Sequence, residues 1–174
     1  MKISIFGMAG TGTSSTGKIL AKELDYPFIS GGDVARMTAQ ELGITLNEID
    51  ELAKTDKKID VLRDDLLREF GNTHPNCVIE ARLGWFVIPD SFKVKLFCSD
   101  EVRYGRIMKR EGKSLEQVIE ETKHREDAIR ERFFNHYGID FDKETGDDRF
   151  DLVIDTGLHS LDEVVALIKE RAFS

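Results

Sequence analysis

Hydrophobic positions fall into two kinds of run that alternate along the chain. Short stretches rich in β-branched and aromatic residues read as strands: Ile3 to Phe6, Tyr26 to Ile29, Cys77 to Ala81, Val94 to Cys98 and Leu152 to Ile154. Pro27 weakens the second of them. Between these runs the apolar positions recur at helical spacing. Thr16, Leu20 and Leu24 share one face of Ser15 to Leu24, and Leu115, Val118, Ile119, Thr122, Ile129 and Phe133 share one face of Leu115 to Tyr137. Glu101 to Arg110 and Leu161 to Arg171 complete the helical set. Strand–helix alternation predicts an α/β protein, a parallel sheet with helices on both faces. Residues 33–70 break the alternation. They are helical, acidic and strand-free, and read as an insertion carried on the sheet.

A length of 174 residues suits one domain, enough to bury roughly 70% of the unfolded chain's surface. Hydrophobic residues at 40% and charged residues at 33% exclude disordered and fibrous classes. Cys77 and Cys98 sit in apolar runs without metal-ligand spacing. They read as reduced, mostly buried thiols of a cytoplasmic protein. The first apolar stretch is too short for a signal peptide or a membrane span, so no membrane partner is expected. The net charge is -8, from 33 acids against 25 bases. That disfavours a nucleic acid polymer or an anionic surface as partner. A small phosphorylated ligand stays open, because local charge can oppose the average.

The first strand runs straight into Gly7-Met8-Ala9-Gly10-Thr11-Gly12-Thr13-Ser14-Ser15, and a helical pattern follows. This is the frame of a phosphate-binding loop: Gly, four residues, Gly, a Lys position, then Ser or Thr. Glycines let successive backbone N–H groups curl round an anion, and the helix N-terminus adds a favourable dipole. Ser14 falls where a hydroxyl would ligate Mg²⁺. The competing reading is a glycine-rich turn that caps a helix. The Lys position holds Thr13, which donates a hydrogen bond but carries no charge. Lys18, one turn on, is expected to point away as a solvated lysine. Charge for a phosphate chain must come from elsewhere.

Six of the twelve arginines lie between residues 103 and 132. Arg103, Arg106 and Arg110 are spaced i, i+3, i+7 and share one helix face, and Arg125 and Arg132 are i, i+7 on the next helix. Two such helices joined by the turn Glu111 to Ser114 can close over a phosphate chain, since guanidinium groups fit phosphate oxygens and stay charged. The alternative is a set of solvated ion pairs such as Glu121–Arg125 and Glu126–Arg130. Arg36 and Arg82 follow the second and third strands, at the carboxyl ends where open α/β sheets bind ligands. Each has a structural alternative as an ion pair, with Glu80 the obvious partner of Arg82. Asp60 and Asp64 read either as exposed helix acids or as acceptors from a base amino group. Asp155-Thr156 is expected to cap the turn after the last strand, with adenine contact as the alternative. His74, His124, His136 and His159 read as surface residues, and Trp85 as core.

Together these positions resemble the cytidylate kinase family, most closely its archaeal type, along almost the whole chain. That type is similar in its Gly-x-x-Gly-x-Gly-Thr-Thr-Thr loop, where Thr stands at the Lys position as Thr13 does here. Ser30 through Arg36, Glu80 to Trp85, Arg106 to Lys113, and Arg125, Arg132 and Tyr137 to Asp140 match its further motifs. The resemblance implies a P-loop three-layer α/β fold with strand order 2-3-1-4-5. It also implies a monophosphate-binding insertion at about residues 31–70 and a lid at about 107–132. The implied activity is transfer of the γ-phosphoryl of ATP to CMP or dCMP, with Mg²⁺. Gly7, Met8, Ala9, Gly10, Thr11, Gly12, Thr13, Ser14, Ser15 and Arg106 would bind ATP, with Ser14 the metal ligand. Arg110, Arg125 and Arg132 would be catalytic, and Arg36, Asp60 and Arg82 would bind the acceptor. The alternatives are another small-molecule kinase, with AMP, UMP or shikimate as acceptor, and an inactive nucleotide-binding module. A monomer is expected, but base selectivity and the preference for ribose or deoxyribose are not legible.

Overall fold

The computed structural model describes residues 1–174. Its elements in order are β1 (Lys2–Gly7), α1 (Thr13–Leu24), β2 (Phe28–Ser30), α2 (Gly31–Leu42), α3 (Leu46–Leu52), α4 (Lys57–Thr73), β3 (Cys77–Glu80), α5 (Gly84–Val87), β4 (Phe92–Phe97), α6 (Asp100–Glu111), α7 (Leu115–Tyr137), α8 (Phe141–Glu144), β5 (Leu152–Asp155) and α9 (Leu161–Ala172). The strands form one five-stranded sheet in the order β2-β3-β1-β4-β5. Ile3 lies opposite Val78, Ile29 opposite Ile79 and Leu96 opposite Ile154, all in parallel register. Both the parallel sheet and the strand order agree with the sequence reading.

Element ends differ from the hydrophobic pattern for local reasons. The second strand begins at Phe28, not Tyr26. Pro27 has no N–H to give a ladder, and the Tyr26 N–H turns back to the Ala21 carbonyl at 2.9 Å. Helix α1 begins at Thr13, not Ser15, because the Thr16 N–H already reaches the Gly12 carbonyl at 3.0 Å. Strand β4 stops at Phe97, before Cys98, as the Ser99 side chain accepts from the Val102 N–H and starts α6. Four helices open with reciprocal capping boxes: Ser30 with Asp33, Thr45 with Glu48, Ser114 with Gln117, and Ser160 with Glu163. Each satisfies backbone donors that a helix start leaves open.

Two compact units share the chain, Met1–Phe6 with Gly17–Lys93, and Gly7–Thr16 with Val94–Ser174. In the first, Ile3, Ile5, Leu20, Val78 and Ile79 are almost fully buried around β1, β2 and β3. A smaller cluster of Ala39, Ile49, Ala53 and Ile59, with Ile44 against it, holds α2, α3 and α4 together. Residues 33–70 are helical and strand-free, as their sequence pattern predicted. In the second unit, Tyr104, Ile107 and Val118 pack with Ala9, Met108 and Ile119, and Phe133 stacks on Phe141 with ring centroids 5.8 Å apart. Cys77 is buried and Cys98 half-buried, both as free thiols. Burial pushes the Cys77 thiol above its ordinary value, while Lys2 pulls the other way. Cys98 is more accessible than its apolar neighbours suggested. No helix is long and apolar enough to cross a membrane.

Candidate functional site

Between β1 and α1 the chain folds back on itself. The Thr11 N–H and hydroxyl both donate to the Met8 carbonyl, at 3.2 and 2.8 Å. Gly10 and Gly12 hold φ of +84° and +92°, a left-handed conformation that residues with a Cβ rarely adopt. The two glycines face different surroundings. A Cβ on Gly10 would stand 2.5 Å from the Arg103 carbonyl oxygen, whereas one on Gly12 would meet nothing within 4 Å. Gly10 is therefore pressed against α6 and Gly12 borders open space. Thr13 is buried, with its methyl group against Gly7. Ser14 and Ser15 are exposed on the first turn of α1. The turned loop, the open space at Gly12 and the helix start behind it fit a chain of phosphates. No cluster of three or more His, Cys, Asp or Glu side chains stands ready for a metal. The Ser14 hydroxyl suits a cation that takes its remaining oxygens from phosphates.

Arg106, on α6, reaches this loop. Its Nη2 donates to the Thr156 carbonyl at 2.6 Å, and its Nη1 to the Thr156 hydroxyl at 2.9 Å and the Gly10 carbonyl at 3.4 Å. The buried Thr156 hydroxyl lies 2.9 Å from the Thr11 carbonyl and 3.2 Å from that of Phe97. Thr156 thus gathers the loop, the end of β4 and α6 at one oxygen. Sequence reasoning gave it a turn-capping role, with adenine contact as the alternative, and no part in anchoring the loop. Asp155 does cap that turn, accepting from the Gly157 N–H at 2.8 Å. No local signal distinguishes Thr156, because its partners lie 50, 59 and 145 residues away.

The other arginines separate into different environments. Arg103 does not face a phosphate chain with Arg106 and Arg110. It is buried and paired with Glu126 and Asp100, at 2.8 and 2.7 Å. The alternative of surface pairs Glu121–Arg125 and Glu126–Arg130 is not realised either. Glu121 pairs with Lys113, Glu126 with Arg103, and Arg130 with Asp127. Arg110 is exposed and bonds to Glu111 at 2.8 Å, which holds that carboxyl below its ordinary range although burial opposes. Arg132 is half-buried, with Cζ 5.2 Å from the Phe133 ring centroid. Arg125 is exposed, and its side chain makes no hydrogen bond or ion pair.

In the first unit, β2 and β3 are neighbours with Ser30 opposite Glu80. A Cβ on Gly31 would lie 3.8 Å from Ala81 Cα, so the segments carrying Arg36 and Arg82 start side by side. Arg36 folds back over Gly32 and bonds to Asp33 at 2.6 Å. The Ser30 hydroxyl and backbone also donate to Asp33, holding its carboxyl below the ordinary range. Arg82 is half-buried, and its carbonyl accepts from the indole N–H of the buried Trp85 at 3.0 Å. Asp60 and Asp64 are only 3% and 6% exposed, so they are not solvated helix acids. They share a buried stripe of α4 with Leu67 and Gly71.

The family model for the cytidylate kinase-like family matches residues 2–158. A cytidylate kinase of Archaeoglobus fulgidus is 41% identical over 97% of this chain and 92% of its own length. One of Methanosphaera stadtmanae is 38% identical over 98% of this chain and 96% of its own. The shikimate kinase structure from Aquifex aeolicus superposes with a TM-score of 0.61 at 18% identity, covering 99% of this chain and 96% of that one. That likeness is one of fold. The family match and the archaeal relatives both run through the glycine loop, the insertion and the arginine-bearing helices. The chain belongs to the cytidylate kinase-like family.

Proposed function

We propose that this protein is a cytidylate kinase, which transfers the γ-phosphoryl group of ATP to CMP or dCMP and releases ADP and the nucleoside diphosphate. The observation that carries the reading is identity of 41% and 38% to two cytidylate kinases across nearly the whole chain. The acceptor's phosphate oxygen attacks the γ-phosphorus, and the bond from that phosphorus to the bridging oxygen of ADP breaks. The nucleophile is already an anion, so no general base is needed. Positioning and charge neutralisation are the tasks left to the protein.

Each task has candidates. The loop from Gly7 to Ser15 holds the phosphates of ATP through backbone N–H groups, and Arg106 extends that site from α6. The Ser14 hydroxyl would hold Mg²⁺, which screens the phosphate charges when bound. Arg36 and Arg82 bind the acceptor phosphate, and Asp60 accepts from the base amino group. Arg110, Arg125 and Arg132 neutralise the transferring group, which compensates for the uncharged Thr13.

A coupled ADP-release assay across CMP, dCMP, UMP, AMP and shikimate tests the assignment. The highest kcat/KM belongs to CMP or dCMP. A clear preference for another acceptor overturns the cytidylate reading. ATP binding by calorimetry without transfer to any acceptor replaces the enzyme with a nucleotide-binding module.

A further inference from the structure

An arginine whose backbone packs against the glycine loop has its side chain committed elsewhere. Arg103 and Glu126 have side chains only 10% and 3% exposed. The guanidinium grips the carboxylate with both arms, Nη1 to Oε1 at 2.8 Å and Nη2 to Oε2 at 3.3 Å. Nε donates to Asp100 Oδ1 at 2.7 Å and Nη2 to the Tyr104 hydroxyl at 3.0 Å. Four of the five N–H groups a guanidinium offers are committed here. Burial disfavours the charge on Arg103, but its bonds to Asp100 and Glu126 prevail and hold it more firmly than usual.

Two neighbouring contacts give this pair a reach beyond its own helices. Arg103 is the residue whose backbone meets Gly10 of the phosphate loop, and Ala9 of the same loop packs on Tyr104, Ile107 and Val118. On α7, Val118, Thr122 and Glu126 form one buried stripe. Glu126 is its only charged member, and it directly follows the unpartnered Arg125. Apolar packing between two helices tolerates small changes of roll and slide. A two-armed guanidinium–carboxylate bond admits one alignment. Consecutive helical residues project about 100° apart, so the roll fixed at Glu126 sets the direction from which Arg125 extends.

We propose that Glu126, gripped by Arg103, is a positioning residue for phosphoryl transfer, fixing the roll and register of α7 against α6 and so aiming Arg125 at the reacting phosphates. The inference rests on the kinase reading above for its functional part. Burial of apolar surface holds the helices together, and the ion pair selects one arrangement.

The test separates aim from stability. Buried ion pairs replaced by apolar residues of similar size commonly keep or gain stability, so the double variant Arg103→Met/Glu126→Leu is expected to melt within a few degrees of the parent. Its kcat with CMP falls about 10- to 100-fold, as small misplacements of reacting groups do. KM for CMP stays within about threefold because α2 and the turn after β3 are untouched. Native stability with native kcat overturns the proposal. If the double variant does not fold, Glu126→Gln alone decides: kcat down about tenfold at steady KM supports the role, and unchanged kcat overturns it. Hydrogen exchange is read in parallel on the nucleotide-free protein. Faster exchange of α7 amides in the variant supports the fixed register, and unchanged exchange overturns it. A parent protein that phosphorylates no acceptor sinks the kinase reading instead, and leaves the exchange result to judge the helix pair.

Discussion

Replacing Gly10 by alanine drives a methyl group into the backbone of α6. The new Cβ would stand 2.5 Å from the Arg103 carbonyl oxygen and 2.9 Å from Arg103 Cβ. Helix backbone cannot swing aside as a long side chain would, so the overpacking costs about 1–3 kcal/mol. Holding φ at +84° with a Cβ present costs about 1–2 kcal/mol more. The sum, roughly 2–5 kcal/mol, is a large share of a typical total of about 5–15 kcal/mol. At about 2–4 °C per kcal/mol for a chain of this size, the thermal midpoint falls by roughly 4–20 °C. Gly12→Ala is the control. Its φ is +92°, but no atom lies within 4 Å of the new Cβ. Only the conformational cost applies, about 1–2 kcal/mol or roughly 2–8 °C. Thermal and urea melts of both variants without nucleotide make the comparison. Equal midpoints, or a less stable Gly12→Ala, would refute the close approach of the loop to α6. Adding ATP should separate the two variants in a second way. Ligand at a hundred times its Kd stabilises by about 2.7 kcal/mol. Gly12→Ala loses that gain because its methyl group enters the open side of the loop, while Gly10→Ala keeps it.

Other residues give sharper readings of single roles. Arg125→Ala leaves the thermal midpoint within experimental scatter, since the side chain is exposed and bonded to nothing, yet kcat drops by about 10²–10³-fold; normal turnover would remove it from the catalytic set. Thr156→Val strips the hydroxyl shared by Arg106 and the Thr11 and Phe97 carbonyls. It costs about 1–3 kcal/mol, and KM for ATP rises more than KM for CMP; equal changes in both would argue against an anchor specific to the loop. Asp33 has its carboxyl held low by the Ser30 hydroxyl, against burial, with Arg36 helping. A depressed carboxylate stabilises the fold above its unfolded pKa and ceases to as pH falls through the folded value. The stability gap between the parent and Asp33→Asn is therefore full near neutrality and shrinks as pH falls below about 4, and a gap that does not narrow at all under acid contradicts the assignment.

The glycine loop between β1 and α1 was legible because everything that shapes it is local. A strand, three spaced glycines and a helix start lie within Lys2–Leu24, and backbone chemistry in that span needs no distant partner. The parallel sheet was legible for a similar reason, since both-sided burial leaves continuous apolar runs such as Cys77 to Ile79. Arg103 shows where the reading fails. Helical spacing placed it on one stripe with Arg106 and Arg110, which is correct as periodicity and misleading as chemistry. Its environment is decided by Glu126, 23 residues further along, and by the Gly10 backbone, neither of which leaves a trace in local spacing. For Asp60 and Asp64 the packing removes one of two readings, that of exposed acids. A carboxylate in a charged helix reads as solvated until the helix is packed, and α4 turns that stripe inward. Thr156 is the residue with the largest gap between what its position announced and what its hydroxyl touches.

The capping boxes have a consequence in time as well as in structure. Every strand pairing that closes the sheet joins segments far apart in the chain: Ile3 with Val78, Phe28 with Val78, Val94 with Leu152. Contacts of such long span form slowly, because a large loop must be ordered before any of them is rewarded. During synthesis β1 has no partner until residue 77 is made, and β4 none on its β5 side until residue 152. The helices that emerge meanwhile begin at Ser30, Thr45 and Ser114, where reciprocal side-chain and backbone bonds within four residues mark the start. A nascent chain can therefore set its helix boundaries, and with them the spacing of Arg36 and Arg125 along their helices, before the sheet that will carry them exists.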